Sequence, residues 1–135
     1  MNVTEALTKA IEGEAAAVYA YGLLGPYLSV DMQGSARSSL NAHRQREIAL
    51  RVRLDAAGGT QPGAAVAYNP PVTVGNDVTA AQLAGIVEMR LAATYADLAA
   101  ACEGTDRSDA VLIARECAVR GIGWGAPMNP FPGLE

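Results

Sequence analysis

The fold this sequence predicts is an all-α four-helix bundle, and three observations predict it. Apolar residues recur at alternating spacings of three and four in four separate stretches, the signature of helices with one buried face. Gly and Pro interrupt the pattern at Gly25-Pro26, Gly58-Gly59 and Gly104, where helices end or kink. Half of the 135 residues are hydrophobic and Ala dominates that half, which favours helix and close helix–helix approach.

The first helix is expected over residues 3–30. Asn2 followed by Glu5 fits a capping box, and Val3, Leu7, Ala10, Glu14, Ala17, Tyr21, Leu24 and Leu28 form its stripe. Gly25-Pro26 should kink or break it, and a turn is expected over residues 31–34. The second helix, residues 35–57, carries Ala36, Leu40, His43, Glu47, Leu50 and Leu54 and stops at Gly58-Gly59. The third opens at Thr79, with Gln82 completing a second capping box, and carries Ala84, Val87, Leu91, Leu98 and Cys102, with Glu88 and Tyr95 alongside. Gly104 closes it. The fourth opens near Asp106 and carries Ala110, Ala114, Cys117, Gly121 and Trp124. Residues 1–124 thus form one bundle domain, and residues 125–135 a Pro- and Gly-rich tail that cannot continue the helix.

Connection lengths set the topology. Short links make helices one–two and three–four antiparallel hairpins. The link between them, residues 58–78, contains Pro62, Pro70 and Pro71 and is unusually long for a compact domain. Extended, it reaches ~70 Å at ~3.3 Å per residue, about twice the ~35 Å of a helix in this bundle. One long crossover between helices two and three is the ferritin-like arrangement.

Composition excludes several function classes. The net charge is −4 with no basic patch, so nucleic acid is not an expected partner. No apolar run approaches the ~20 residues that span a bilayer, so no membrane association is expected. The acidic, amphipathic N-terminus is unlike a secretory signal, and a cytoplasmic protein is the default expectation unless a leader has been removed. Cys102 at a turn and Cys117 ~18 Å down the next helix are too far apart for a disulfide and are expected to be structural thiols. Neither has a nearby His, and no phosphate loop, dinucleotide fingerprint or zinc-finger spacing is present.

Four pieces of sequence carry a family resemblance. E-A-A-A-V-Y-A-Y-G at 14–22, A-H-R at 42–44, A-Y-N-P-P-V at 67–72 and the spacing of Glu88 to Tyr95 together resemble the actinobacterial ferritin-like domain of unknown function. The resemblance spans about residues 7–124. It implies a ferritin-like bundle with a left-handed crossover and no established activity.

Glu14, His43 and Glu88 occupy the middle of three apolar stripes, where leucine is the ordinary residue. Charged groups are almost never buried without partners, so the three point to one shared polar site. Ferritin-like di-iron proteins use a lone Glu from each of two helices and Glu-x-x-His from each of the other two. Glu14 and Glu88 fit the lone glutamates. Helix two offers His43, but Leu40 stands where Glu is needed, and Glu47 one turn later is the substitute. Helix four has no His, and Glu116 lies beside its stripe. A standard di-iron centre is therefore not expected.

Two alternatives stay open. Glu14, His43, Glu47 and Glu88 could ligate a single metal such as iron, manganese or zinc. Otherwise they form a relic network, with His43 partly protonated between carboxylates and Tyr21 or Tyr95 donating. Arg44, Arg51 and Arg90 are expected on a solvated face; an inward Arg would take the place of a cation. Tyr19, Tyr21, Tyr27 and Tyr95 are expected to fill volume rather than to relay electrons. The crossover, with Tyr68 and Asn69-Pro70-Pro71, is expected to lie along the bundle and cover a groove. Trp124 and Phe131 could pack across a subunit interface, with disorder beyond Gly125 as the competing expectation.

Three functions compete on this basis. The leading one is a ferritin-like domain of uncharacterised activity with a degenerate polar core, present as a homodimer. The second is a metal-dependent oxidoreductase or iron-handling protein using iron or manganese at Glu14, His43, Glu47 and Glu88. The third is an oligomerisation module using Ala-rich outer faces at Ala15, Ala16, Ala92, Ala93 and Ala96.

Overall fold

The computed structural model describes residues 1–64 and 68–128. The described residues form four helices, α1 Val3–Leu24, α2 Val30–Ala56, α3 Asp77–Ala101 and α4 Gly104–Gly123, with a 3-10 turn at Gly25–Tyr27. No strand occurs among the described residues. None of the helices is long and apolar enough to cross a membrane.

Local chemistry sets the helix ends. The Asn2 side chain accepts from Glu5 N–H while the Glu5 carboxylate accepts from Asn2 N–H, the expected capping box. Pro26 lacks an N–H and enters the 3-10 turn, so α1 stops at Leu24 and does not reach residue 30. The chain reverses at once, and the expected turn at residues 31–34 is instead the first turn of α2, with Ser29 at its N-cap. The third helix starts two residues earlier than expected, because Asn76 and Thr79 form the box instead of Thr79 and Gln82. Gly104, at φ +60°, opens α4 rather than closing α3, a backbone conformation suited to Gly. Both α2 and α4 end in Schellman motifs. Gly59 N–H bonds Leu54 O and Gly58 N–H bonds Asp55 O; Ala126 N–H bonds Gly121 O and Gly125 N–H bonds Ile122 O.

α1 packs against α2 and α3, and α3 against α4. Contacts give the directions. Glu14 of α1 meets Tyr95 of α3 and Tyr21 meets Glu88, so α1 and α3 are antiparallel. The short link makes α1 and α2 antiparallel as well. α2 and α3 therefore run parallel, and residues 57–76 must return along the bundle. From this connection Tyr68 packs edge-on against Tyr19, with ring centroids 5.3 Å apart. The fourth side is the most open. No Cα of α2 lies within 8 Å of one of α4, and long side chains bridge the gap: Arg46 pairs with Glu116, and Arg53 lies 3.8 Å from Asp106.

The core follows the predicted stripes closely. Leu7, Ala10, Ala17 and Leu24 of α1, Leu50 and Leu54 of α2, Ala84, Leu91 and Leu98 of α3, and Ala110 and Cys117 of α4 are all buried. Ala92 was expected on an outer face but is fully buried, because it falls on the α3 stripe that meets its neighbours. Ala15, Ala16, Ala93 and Ala96 are part-exposed. Trp124 caps α4 and packs within its own chain against Tyr21, at 6.3 Å between rings. Phe131 lies outside the described residues.

Candidate functional site

Three helices deliver the polar residues to one depth. Glu14, His43 and Glu88 are each 0% exposed. His43 lies between the carboxylates, with Nδ1 at 2.6 Å from Glu14 Oε2 and Nε2 at 2.7 Å from Glu88 Oε1. Carboxylates facing both ring nitrogens match an imidazolium, which donates from each. Two tyrosines complete the chain. Tyr95 OH donates to Glu14 Oε1 at 2.6 Å, and Tyr21 OH donates to Glu88 Oε1 at 2.7 Å. Trp124 Nε1–H donates in turn to Tyr21 OH at 3.1 Å. Six side chains thus form one line: Tyr95, Glu14, His43, Glu88, Tyr21, Trp124. One atom falls outside it, since Glu88 Oε2 is buried without a hydrogen-bond partner among the described residues.

The electrostatics match this reading. Burial disfavours charge on His43, but hydrogen bonds to Glu14 and Glu88 and their negative charge outweigh it and lift its pKa to about 9. Burial, with the charge of Glu88 beside it, pushes the Tyr21 hydroxyl far above its ordinary value; burial and Glu14 do the same to Tyr95. Both phenols therefore stay protonated as donors. Cys117 faces the same cluster from α4. Burial and the nearby Glu88 and Glu14 push its thiol well up, so it is neither a thiolate ligand nor a nucleophile at neutral pH.

The structure brings together Glu14, His43 and Glu88 and leaves Glu47 apart. Glu47 accepts from Arg51 Nε at 3.1 Å on a part-exposed face. Arg51 also bonds Gln61, which ties the start of the crossover to α2. A stripe position one turn from His43 is not enough to carry Glu47 into the core, because α2 turns that edge toward solvent. Arg44 and Arg90 are exposed, so neither takes the place of a cation in the core. Arg46, like Arg53, reaches between α2 and α4, in its case to Glu116 and Cys117. Cys102 and Cys117 are both free and buried.

These donors do not fit a ferritin-type di-iron centre, and as arranged here they leave His43 no free nitrogen for a single metal. A ring nitrogen that donates to a carboxylate has no lone pair for a metal, and both of His43's are so engaged. No three His, Cys, Asp or Glu side chains among the described residues converge as a metal site.

Two features go beyond the expectation that Tyr21 or Tyr95 donates to the network. Trp124 is the terminal donor of the line, and only its place as the α4 C-cap puts it there. The other left a visible signal: Tyr21 follows Glu14 by seven residues, as Tyr95 follows Glu88. Seven residues are two helical turns, so each pair shares a face. In antiparallel helices each Tyr then reaches the other helix's Glu.

A crystal structure of a conserved hypothetical protein from Mycobacterium tuberculosis is similar to this chain, with a TM-score of 0.85 and 30% identity over 90% of this chain and 93% of that one. No curated protein matches it. Residues 6–135 match the family described as Domain of unknown function (DUF4439), and the chain belongs to that family.

Proposed function

We propose that this chain is a ferritin-like domain in which a carboxylate–imidazolium–carboxylate bridge occupies the position of a di-iron centre, and that it works as a non-catalytic helical scaffold. The observation that carries the reading is the placement of His43, with each ring nitrogen held by a different glutamate. The parallel α2 and α3 joined by a long connection support the ferritin-like part. The imidazolium supplies at the core the positive charge that metal ions supply in the di-iron proteins. The test is elemental analysis of untagged protein purified without chelator, with thermal unfolding in added iron(II) or manganese(II). Metal far below one equivalent per chain and an unmoved melting temperature are the expected results. One equivalent of tightly held metal, with stabilisation, would overturn the reading.

One observation favours a second reading, a single metal at Glu14, His43 and Glu88. Glu88 Oε2 is a buried carboxylate oxygen without a partner among the described residues, and such an atom is costly unless something binds it. This reading requires His43 to release one glutamate, and the same elemental analysis decides it.

Self-association as a homodimer belongs to the scaffold reading. Ile48 and Val52, one turn apart on α2, are 65% and 64% exposed and give an apolar outer face. Light scattering should give twice the chain mass; a clean monomer refutes this part.

A further inference from the structure

The side of the bundle between α2 and α4 is held together differently from the other three. α2 packs on α1 and α4 on α3, yet no Cα of α2 lies within 8 Å of one of α4. Among the described residues, the polar ties across this seam come from two arginines of α2. Arg46 and Arg53 are seven residues, or two turns, apart and share a face. Arg46 pairs with Glu116, and its guanidinium lies 4.0 Å from Cys117 Sγ. Arg53 lies 3.8 Å from Asp106 and 3.7 Å from Cys102 Sγ. The outer pair is wet, with side chains 33% and 62% exposed, and such pairs contribute little. The Arg46 side chain is only 16% exposed, so its pair with Glu116 is the stronger tie.

Behind Arg46 lies the core layer. Cys117 is fully buried, and the charges of Glu88 and Glu14 act on its thiol. The opposite side of the bundle is closed by direct contact. Tyr95 and Tyr21 join α1 to α3 through the glutamates, and a Cβ on Gly13 of α1 would come 3.0 Å from Leu91 Cδ2 of α3. We propose that the α2–α4 seam is a gate to the core polar layer. It opens locally while α1 and α3 stay packed, and Arg46 is the latch whose release lets solvent and small ions reach Cys117 and Glu88. Local opening of this kind occurs where few packed contacts hold two elements together. The gate does not rest on the scaffold reading, because it sets access to the layer whether the layer is a closed bridge or takes up an ion.

Cys117 reports the opening. The experiment is slow alkylation of the full native chain by iodoacetamide in low urea, followed at Cys117 by peptide mass spectrometry. Opening is rare, so the reaction is slow, but its rate should hardly depend on urea and should exceed what global unfolding allows. Arg46→Met keeps the apolar stem and removes the guanidinium. It should speed labelling of Cys117 by about tenfold or more, as expected for loss of a charge-assisted bond. The Arg46 charge favours the thiolate, so its loss alone would slow the reaction, and acceleration therefore reports opening. Leu91→Ala is the contrast. It weakens the α1–α3 packing and lowers global stability, yet should leave Cys117 labelling within about twofold of the parent. Circular dichroism checks folding; if Arg46→Met does not fold, Glu116→Ala breaks the same pair from its exposed end and should give the same acceleration. Parent labelling that rises with urea along the slope of global unfolding overturns the gate, as does equal acceleration by Leu91→Ala. Folded latch variants that label no faster than the parent overturn the assignment of Arg46.

Discussion

The Tyr95 hydroxyl donates to Glu14 across 81 residues of sequence, at 2.6 Å and fully out of water. The same bond recurs with the helices exchanged, from Tyr21 to Glu88. Each glutamate of the core is thus held by a phenol from the opposite helix and by a nitrogen of His43 from α2. A local heptad spacing, used once in α1 and once in α3, becomes a cross-linked polar layer through antiparallel packing.

The phenols are therefore stabilising in proportion to the charge they meet. Hydrogen bonds to charged groups contribute about 1.5–3 kcal/mol each. Tyr95→Phe and Tyr21→Phe keep the ring and remove only the donor. Each should lower the unfolding free energy by about that amount, with an unchanged denaturant slope in urea. The two bonds share His43 through its glutamates, so the double variant should depart from additivity. Losses below ~0.5 kcal/mol would refute charge-assisted bonds from the phenols.

His43 makes stability depend on pH in a definite direction. Its folded pKa is raised, from 6.5 to about 9. Its stabilisation is then fully present below pH ~6.5, where it is protonated in both states, and is lost as pH rises through about 9. The shift corresponds to an effect on the order of 3 kcal/mol. Chemical denaturation between pH 6 and 10 should show stability falling from about pH 6.5 and levelling off above about 9. This is the chain's only histidine, so its ring resonances need no assignment. A histidine titrating near 6.5 by NMR would contradict the imidazolium.

How much of this was legible in the sequence varies from residue to residue. The stripes of α1 and α3 could be read because a 3.6-residue period is local, and burial of Glu14 and Glu88 followed from it. His43 was legible for the same reason. Glu47 shows the limit: a stripe is a wide arc, and only the packing of α2 decides which edge faces solvent. Gly25-Pro26 signals a kink or a break, and local sequence does not choose between them; the structure has the break, with a 3-10 turn that reverses the chain within five residues. Trp124 falls on the α4 stripe in the sequence, but its bond to Tyr21 was not legible there. It depends on where α4 ends relative to Tyr21, a long-range fact that no local spacing encodes.

Buried ion networks are often no more stable than an apolar replacement, while a half-removed network is worse than either. His43→Gln leaves two glutamates buried without a cation and should cost about 3–5 kcal/mol. Replacing the five members other than Trp124 together, with Leu at positions 14, 43 and 88 and Phe at 21 and 95, should restore stability to about the parent level or above. Calorimetry on the two variants checks the contrast. A five-fold variant as unstable as His43→Gln would show that the layer contributes net stability and not specificity alone.

Thiol chemistry provides an independent check on α4. Cys102 and Cys117 are buried and free, and the Cys117 thiol is held protonated by burial beside Glu88 and Glu14. Reaction requires an exposed thiolate. Neither thiol should react with Ellman's reagent in the native protein at pH 8, and both should react at once in guanidinium chloride. Fast native reaction would place Cys117 outside the core.

Gly121 tests the packing of α4 against α3 just below the glutamate. A Cβ built there comes 2.7 Å from Met89 Sδ, 3.1 Å from Met89 Cγ and 3.5 Å from Glu88 Cβ. Two effects oppose each other in Gly121→Ala. Ala gains up to ~1 kcal/mol in helix propensity over Gly, while overpacking costs about 1–3 kcal/mol. Met89 is unbranched and adaptable, which keeps the second effect toward its lower end. A net loss near 1 kcal/mol is expected for Gly121→Ala alone. In a Met89→Ala background the clash is gone and only the propensity remains, so the same substitution should become stabilising. That change of sign, read by urea denaturation of the four proteins of the cycle, separates a steric origin from a backbone one. If Gly121→Ala destabilises equally in both backgrounds, contact with Met89 is not why glycine stands at this position.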